Sequence, residues 1–211
     1  MENQFTIQVP KEHYYSKNYN HRARWMTYFY QMQLLQKYNA KKVLEIGPGH
    51  SWMKKIIADF GVIVETVDID GALNPDYVAH INALPMAENT YDAVCAFEVL
   101  EHLPFVTLEV NLKEMARVSK KYIIISLPDH RHILFHIKFK VPFFKYKDFL
   151  FKIPTFKKHV FDGQHFWEIG KLGYSPTQVT NAIESFGFKV LEHFVPHDTQ
   201  SNHYFVIEKK A

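Results

Sequence analysis

Apolar residues fall along this chain in short runs that alternate with stretches of helical spacing. Val43 to Ile46 is such a run with one acid, Glu45, and reads as a strand buried on both faces. Val62 to Val67, Tyr77 to Ile81, Tyr91 to Phe97 and Tyr122 to Leu127 repeat it, and Lys189 to Val195 and His203 to Glu208 read as two closing strands. Between them the period changes. Trp25, Tyr28, Phe29, Met32 and Leu35 mark one face of a helix from Arg22 to Tyr38, and Trp52, Ile56 and Phe60 mark another, with Lys54 and Lys55 opposite and Gly61 as its stop. Leu108, Leu112 and Met115 define a helix over residues 105–118. The last helix opens on the capping box Ser175-Pro-Thr-Gln178 and carries Val179, Ala182, Ile183 and Phe186 as far as Gly187. Strands alternating with helices in this rhythm predict an α/β fold, an open parallel sheet covered on both faces with ligands at the carboxyl ends of its strands.

Two stretches do not fit the rhythm. Residues 1–20 are polar and aromatic without a period, and are expected to form an extended arm or loose turn. Residues 130–160 interleave aromatics with bases, as in Phe143-Phe-Lys-Tyr-Lys147, and Pro142 and Pro154 interrupt them. Such an insertion is either a small helical cover with its aromatics on the sheet and its lysines in solvent, or a lid for an anionic or aromatic substrate, or a contact with an anionic membrane surface.

Composition narrows the class. A chain of 211 residues with 47% hydrophobic and 22% charged residues suits one globular domain. The single cysteine, Cys95, rules out an intramolecular disulfide framework and fits a reducing compartment. No apolar run is long enough to span a bilayer and the N-terminus does not read as a signal peptide, so a cytoplasmic location is expected. The formal charge of +3 conceals an uneven distribution: residues 131–160 hold eight Lys/Arg against one acid, Asp148, leaving seventeen of the 25 bases to face twenty-one of the 22 acids elsewhere.

The candidate chemistry begins where the first strand breaks at Gly47 and Gly49. Glycine at both positions allows a sharp turn and a close approach to a ligand, with the N–H groups of the next helix aimed at it. Trp52 stands where a dinucleotide fingerprint needs a third glycine, and no Gly-Lys-Ser/Thr follows, so neither a dinucleotide loop nor a P-loop is present. Asp68, ending the second strand about twenty residues on, is placed to bind ribose hydroxyls.

Leu44-Glu-Ile-Gly-Pro-Gly49 resembles the first motif of class I S-adenosylmethionine-dependent methyltransferases, of the kind that includes the ubiquinone O-methyltransferases. The resemblance runs from about residue 40 to 210. It implies a Rossmann-like, seven-stranded, mostly parallel sheet with helices on both faces and a C-terminal antiparallel hairpin. It also implies an N-terminal arm and capping helix over 1–40 ahead of the methyltransferase domain at 41–211. S-adenosylmethionine is the implied cofactor, its amino-acid end at Glu45, Gly47 and Gly49, its ribose at Asp68, and its adenine at Asn82 and Ala83. Family members usually carry an acid where this chain has Asn82, whose side-chain carbonyl still accepts one hydrogen bond. Tyr14, Tyr15 and Tyr19 are candidate contacts from the arm.

The fourth strand runs into Phe97-Glu-Val-Leu-Glu-His-Leu103, where a helical turn would set Glu98, Glu101 and His102 on one face beside the cofactor. Glu98 is thus a candidate for cofactor and metal alike. His165, in Asp162-Gly-Gln-His-Phe-Trp-Glu168, resembles the distal histidine that ubiquinone-type and small-RNA 2′-O-methyltransferases pair with Glu-x-x-Glu-His around a metal. Glu98, Glu101, His102 and His165 are therefore candidate ligands of magnesium or manganese first, zinc or iron second. Without a metal, His102 or His165 is the candidate general base for a hydroxyl acceptor. The expected activity is O-methylation of a small molecule or glycan, with a lipid-linked acceptor as a variant. RNA 2′-O-methylation and a non-catalytic cofactor- or partner-binding domain are the alternatives. The bases confined to one insertion and the lack of an RNA-binding module argue against nucleic acid.

Overall fold

The computed structural model describes residues 7–210, so the start of the N-terminal arm lies outside the described residues. The rest of the arm holds a single-turn helix α1 (Lys11–Tyr15), and α2 (Arg22–Lys37) follows. Then come β1 (Lys42–Ile46), α3 (Trp52–Ile57), β2 (Ile63–Asp68), β3 (Tyr77–Val78), β4 (Tyr91–Phe97), α4 (Leu108–Val118), β5 (Ser119–Pro128), β6 (His132–Phe139), β7 (Lys147–Ile153), α5 (Pro176–Ser185), β8 (Lys189–Phe194) and β9 (Asn202–Glu208). Seven strands form one sheet in the order β3-β2-β1-β4-β5-β9-β8. The pairs among β1 to β5 are parallel, and β9 runs antiparallel between β5 and β8.

The two-residue period of the strands divides the core. Leu44, Ile46, Val94, Ala96, Ile123 and Ile125 point to one face, where they meet Leu112 and Met115 of α4 and Val179 and Ile183 of α5. Val43, Ala93, Cys95 and Ile124 point to the other, against Leu34 and Leu35 of α2 and Met53 and Ile57 of α3. Because the sheet is covered on both sides, its central strands carry no alternation of polarity. Burial of Cys95 raises its thiol pKa well above the usual range.

Several expectations need correction. In α2 the buried face is Thr27, Tyr28, Gln31, Leu34 and Leu35, while Trp25 and Phe29 are exposed. Trp25 instead packs on Trp52 across the α2–α3 contact, at 5.4 Å between ring centroids. In α3 the buried pair is Met53 and Ile57, one position along from the expected stripe, and Phe60 is exposed. Both helices carry apolar residues on more than one face, so the sheet selects the face that fits. The third strand is shorter than expected, because after Val78 the chain turns through His80 to Ala83.

The insertion contains no helix. Strands β6 and β7 pair into an antiparallel hairpin forming a separate two-stranded sheet, with most of its aromatics exposed. Alternating aromatics and lysines satisfy the two-residue period of a strand, which overrides the helical reading. No helix among the described residues is long and apolar enough to cross a membrane.

Candidate active site

The sheet order turns around between β1 and β4, since the chain winds outward from β1 to β3 on one side and from β4 to β5 on the other. At the carboxyl ends of these strands a cavity opens, as the topology of an open parallel sheet requires. Gly47 after β1, Asp68 at the end of β2, Ala79 to Ile81 after β3, and Glu98 and His102 after β4 line it, and Gln8 and Tyr14 close it from the arm.

The glycine loop is tight in the way its sequence demands. Gly47 has φ +67°, its N–H donates to Val67 O at 2.9 Å, and a Cβ there would meet Val99 Cγ2 at 2.6 Å. Gly49 has φ +52°, and the Tyr14 ring lies 3.0 Å from where its Cβ would stand. Tyr14 thus packs on the loop and enters the cavity wall, and Tyr15 and Tyr19 pack edge-on to the neighbouring His50. Beneath the loop Glu45 is buried with Oε2 lacking a partner among the described residues, and burial lifts its pKa to about 8.

Asp68 faces the cavity, accepts from the Asp70 N–H at 2.9 Å, and has its pKa raised by burial. Asn82 and Ala83 are exposed and stand outside the cavity wall. The Asn82 Oδ1 is taken by His80 Nδ1 at 2.7 Å, and the wall at this point is Ala79, His80 and Ile81. The early end of β3 is the reason for the difference.

Glu98 occupies a left-handed backbone position, φ +56°, at the first residue past β4. Its Oε1 accepts from Ser126 Oγ at 2.8 Å, and burial raises its pKa. Leu100 to His102 form one tight turn that brings Glu101 and His102 toward His165. Their ligand atoms lie within 4.8 Å of one another; Glu98 is not part of this group, and its Oε1 turns to Ser126 instead. Three of the four expected metal-site residues are therefore brought together.

The three differ in environment, and their proton affinities are shifted in different directions. Glu101 is fully buried with both carboxylate oxygens lacking a partner among the described residues, and burial together with Glu98 raises its pKa well above the carboxylate range. His102 donates from Nδ1 to Gln8 Oε1 at 2.7 Å and to Gln164 O at 3.1 Å, and burial and His165 lower its pKa to about 4. Nδ1 of His165 donates to Glu168 Oε1 at 2.7 Å. Burial opposes its imidazolium form, but Glu168 outweighs burial and the pKa is raised. With each Nδ1 occupied as a donor, Nε2 of both rings is left as the lone-pair nitrogen.

The family described as methyltransferase domain matches residues 19–193. The chain belongs to the class I S-adenosylmethionine-dependent methyltransferases. No curated protein sequence matches it. Its fold is that of 1,6-didemethyltoxoflavin-N1-methyltransferase from Burkholderia thailandensis, solved with its substrate and S-adenosylhomocysteine. The two share 12% identity with a TM-score of 0.61 over 95% of this chain and 87% of that one. An S-adenosylmethionine-dependent methyltransferase from Aquifex aeolicus matches at 16% identity and TM-score 0.60, over 95% of this chain and 98% of the other. Magnesium protoporphyrin IX methyltransferase from Synechocystis PCC 6803, with bound S-adenosylhomocysteine, matches at 14% and 0.59, over 89% and 84%.

This methyltransferase has a second cavity that the sequence did not disclose. It is lined by Arg24 and Thr27 of α2, by Asp129, His130 and Arg131 after β5, and by Asn202 of β9, and Glu98 is common to both cavities. Arg24 stacks over Tyr19 at 4.3 Å and has no ion pair among the described residues. Arg131, by contrast, is bound to Asp129 at 2.7 Å. Arg24 lay on the polar side of an amphipathic pattern, where a solvated cation looks the same as a binding one. Glu168 stood next to His165 in sequence, but its partnership with His130, His159 and His165 exists only in the folded chain.

Proposed function

We propose that this protein transfers a methyl group from S-adenosylmethionine to a hydroxyl of a small molecule or glycan that carries a negative charge. The observation that supports the reading best is Glu98, which forms a wall of both cavities, so that a donor in the first and an acceptor in the second meet across it. Arg24, which has no ion pair among the described residues, supplies the preference for an anionic group.

S-adenosylmethionine supplies the methyl group on a sulfonium. Asp68 would accept from the ribose hydroxyls, Gly47 would leave room for the amino-acid end, and Ala79 to Ile81 would flank the adenine in place of Asn82 and Ala83. For an in-line displacement the enzyme has to hold the acceptor oxygen in line and take its proton. His165, whose ring packs 4.9 Å from that of His102 in the first cavity's wall, is the base we assign to this role, because Glu168 fixes its tautomer and raises its proton affinity. His102, held neutral by a pKa lowered to about 4, can accept a hydrogen bond at Nε2 without adding charge.

A divalent metal fits the same cluster. Glu101 is a buried carboxylate with neither oxygen partnered among the described residues, and both imidazoles have Nδ1 held by acceptors, as metal-ligating histidines generally do. Glu101, His102 and His165 would hold the ion, which would lower the pKa of an acceptor hydroxyl. Two imidazoles and one carboxylate suit manganese, iron or zinc better than magnesium, since Glu98 drops out of the set.

The test is calorimetry with S-adenosylhomocysteine, followed by assay of S-adenosylhomocysteine release over hydroxylated acceptors with and without a carboxylate or phosphate. Binding plus turnover confined to anionic acceptors supports the reading. Binding with turnover on neutral acceptors alone removes the role of Arg24, and no binding removes the reading. Full activity in chelator would dispose of the metal.

A further inference from the structure

We propose that the β6–β7 hairpin is a docking surface for an anionic phospholipid bilayer. In its register Phe135 pairs with Phe151, Ile137 with Phe149 and Phe139 with Lys147, so five large apolar side chains stand on one face. Phe135, Ile137, Phe139, Phe149 and Phe151 are each between 45% and 51% exposed, and Phe135–Phe151 and Phe139–Phe149 stack on one another. At the tip Phe143 is fully exposed, with Phe144 and Tyr146 largely so. A contiguous apolar face of this size on an isolated hairpin is unusual without something to cover it.

The opposite face is the one that holds the hairpin to the body. Lys152 reaches the buried Asp129, and His136 and His197 converge on Asp148, both at 2.8 Å. That arrangement leaves the apolar face outward and occupies the only acid between residues 131 and 160. Lys140, Lys145 and Lys147 flank the tip and have no ion pair among the described residues.

Aromatics at a protruding tip with unpaired lysines beside them match a bilayer surface, where the rings enter the interface and the ammonium groups stay with the phosphates. A second copy of this chain would bring the same positive charge to the contact. Single-stranded nucleic acid follows a basic groove, whereas this face has its cations at one end and apolar side chains across its breadth. The root of the hairpin, Asp129 to Arg131, lines the second cavity, so docking would hold that cavity near the membrane.

The proposal does not depend on the methyl-transfer reading and is tested without it. The full chain is floated with phosphatidylcholine vesicles alone and with vesicles containing phosphatidylglycerol, over a range of salt. Two variants accompany it, Phe143→Ser/Phe144→Ser and Lys140→Glu/Lys145→Glu/Lys147→Glu, all at exposed positions, with thermal melts to verify folding. The expected result is flotation that requires phosphatidylglycerol, weakens with salt, and falls by about tenfold or more in each variant. Three results would overturn it: no flotation, flotation indifferent to phosphatidylglycerol or to the variants, or a parent chain that sediments as a dimer dissociated by the phenylalanine variant. Salt-sensitive retention on RNA in the absence of flotation would also reject the bilayer.

Discussion

Lys152 Nζ lies 2.9 Å from Asp129 Oδ1, and both side chains are withdrawn from solvent. Asp129 also receives Arg131 at 2.7 Å and His203 at 3.1 Å, so one buried carboxylate holds a cation from the hairpin, a cation from its root and an imidazole from β9. The isolated two-stranded sheet is tied to the main one through this residue, together with the His197–Asp148 pair and the bond from Lys152 to Gln200 O.

Removing that charge should cost far more than a surface pair would. Asp129→Asn leaves Lys152 and Arg131 without their common partner in a buried setting, and a loss of about 3–5 kcal/mol is expected, read as a lowered urea midpoint. Burial opposes ionisation of Asp129, but His203, Arg131 and Lys152 overcome it and hold its pKa well below the usual carboxylate range. A depressed folded-state pKa means that the unfolded chain binds the proton first. The stabilisation is therefore complete above the unfolded pKa of about 3.9 and is lost as pH falls below it. The difference between parent and Asp129→Asn should accordingly shrink as the melts are repeated from pH 7 down to acid, and a constant difference would contradict the assignment.

Gly47→Ala combines two penalties, the left-handed backbone and the contact with Val99 Cγ2. The backbone alone costs about 1–2 kcal/mol for an L side chain. Weaker binding of S-adenosylhomocysteine is expected together with a lower melting temperature. Adding Val99→Ala should restore part of the stability, since it removes the clash and leaves the φ penalty. An unaffected single variant would mean that the loop relaxes freely.

Glu168→Gln tests the pairing with His165 by a shift in a pH profile. Without the carboxylate His165 loses what raises its pKa, so the acid limb of the rate profile should move to lower pH while the maximal rate falls by about 10²-fold. His165→Ala should lose that limb altogether. A change in rate with the profile unmoved would assign Glu168 a purely structural part.

The sequence alone carried β4 at both ends and β5 from Tyr122 to Leu127, missing its first three residues and its last, because residues 91–97 and 122–127 are mostly apolar on both faces. Gly47, Asp68 and Glu98 were legible as cavity residues because each stands at or just past the end of a strand, where an open parallel sheet places its ligand cleft. Asn82 and Ala83 were assigned by analogy with a motif, and the turn after β3 moved them outward. The faces of α2 and α3 were misjudged because neither helix has an apolar stripe distinct enough to choose for itself. The insertion misled in another way, since aromatics alternating with lysines fit a loose helix on paper and a strand in space.

What local sequence determined, then, was the order of elements, the glycine turn and the acids at the strand ends, for these depend on backbone geometry and two- or four-residue periods. What only the tertiary structure decided was the meeting of Glu101 and His102 with His165, the second cavity around Arg24, and the anchoring of the hairpin at Asp129. Those contacts join residues tens to more than a hundred positions apart, and the cost or benefit of a buried charge depends on which partners the fold delivers to it, a quantity no short window of sequence contains.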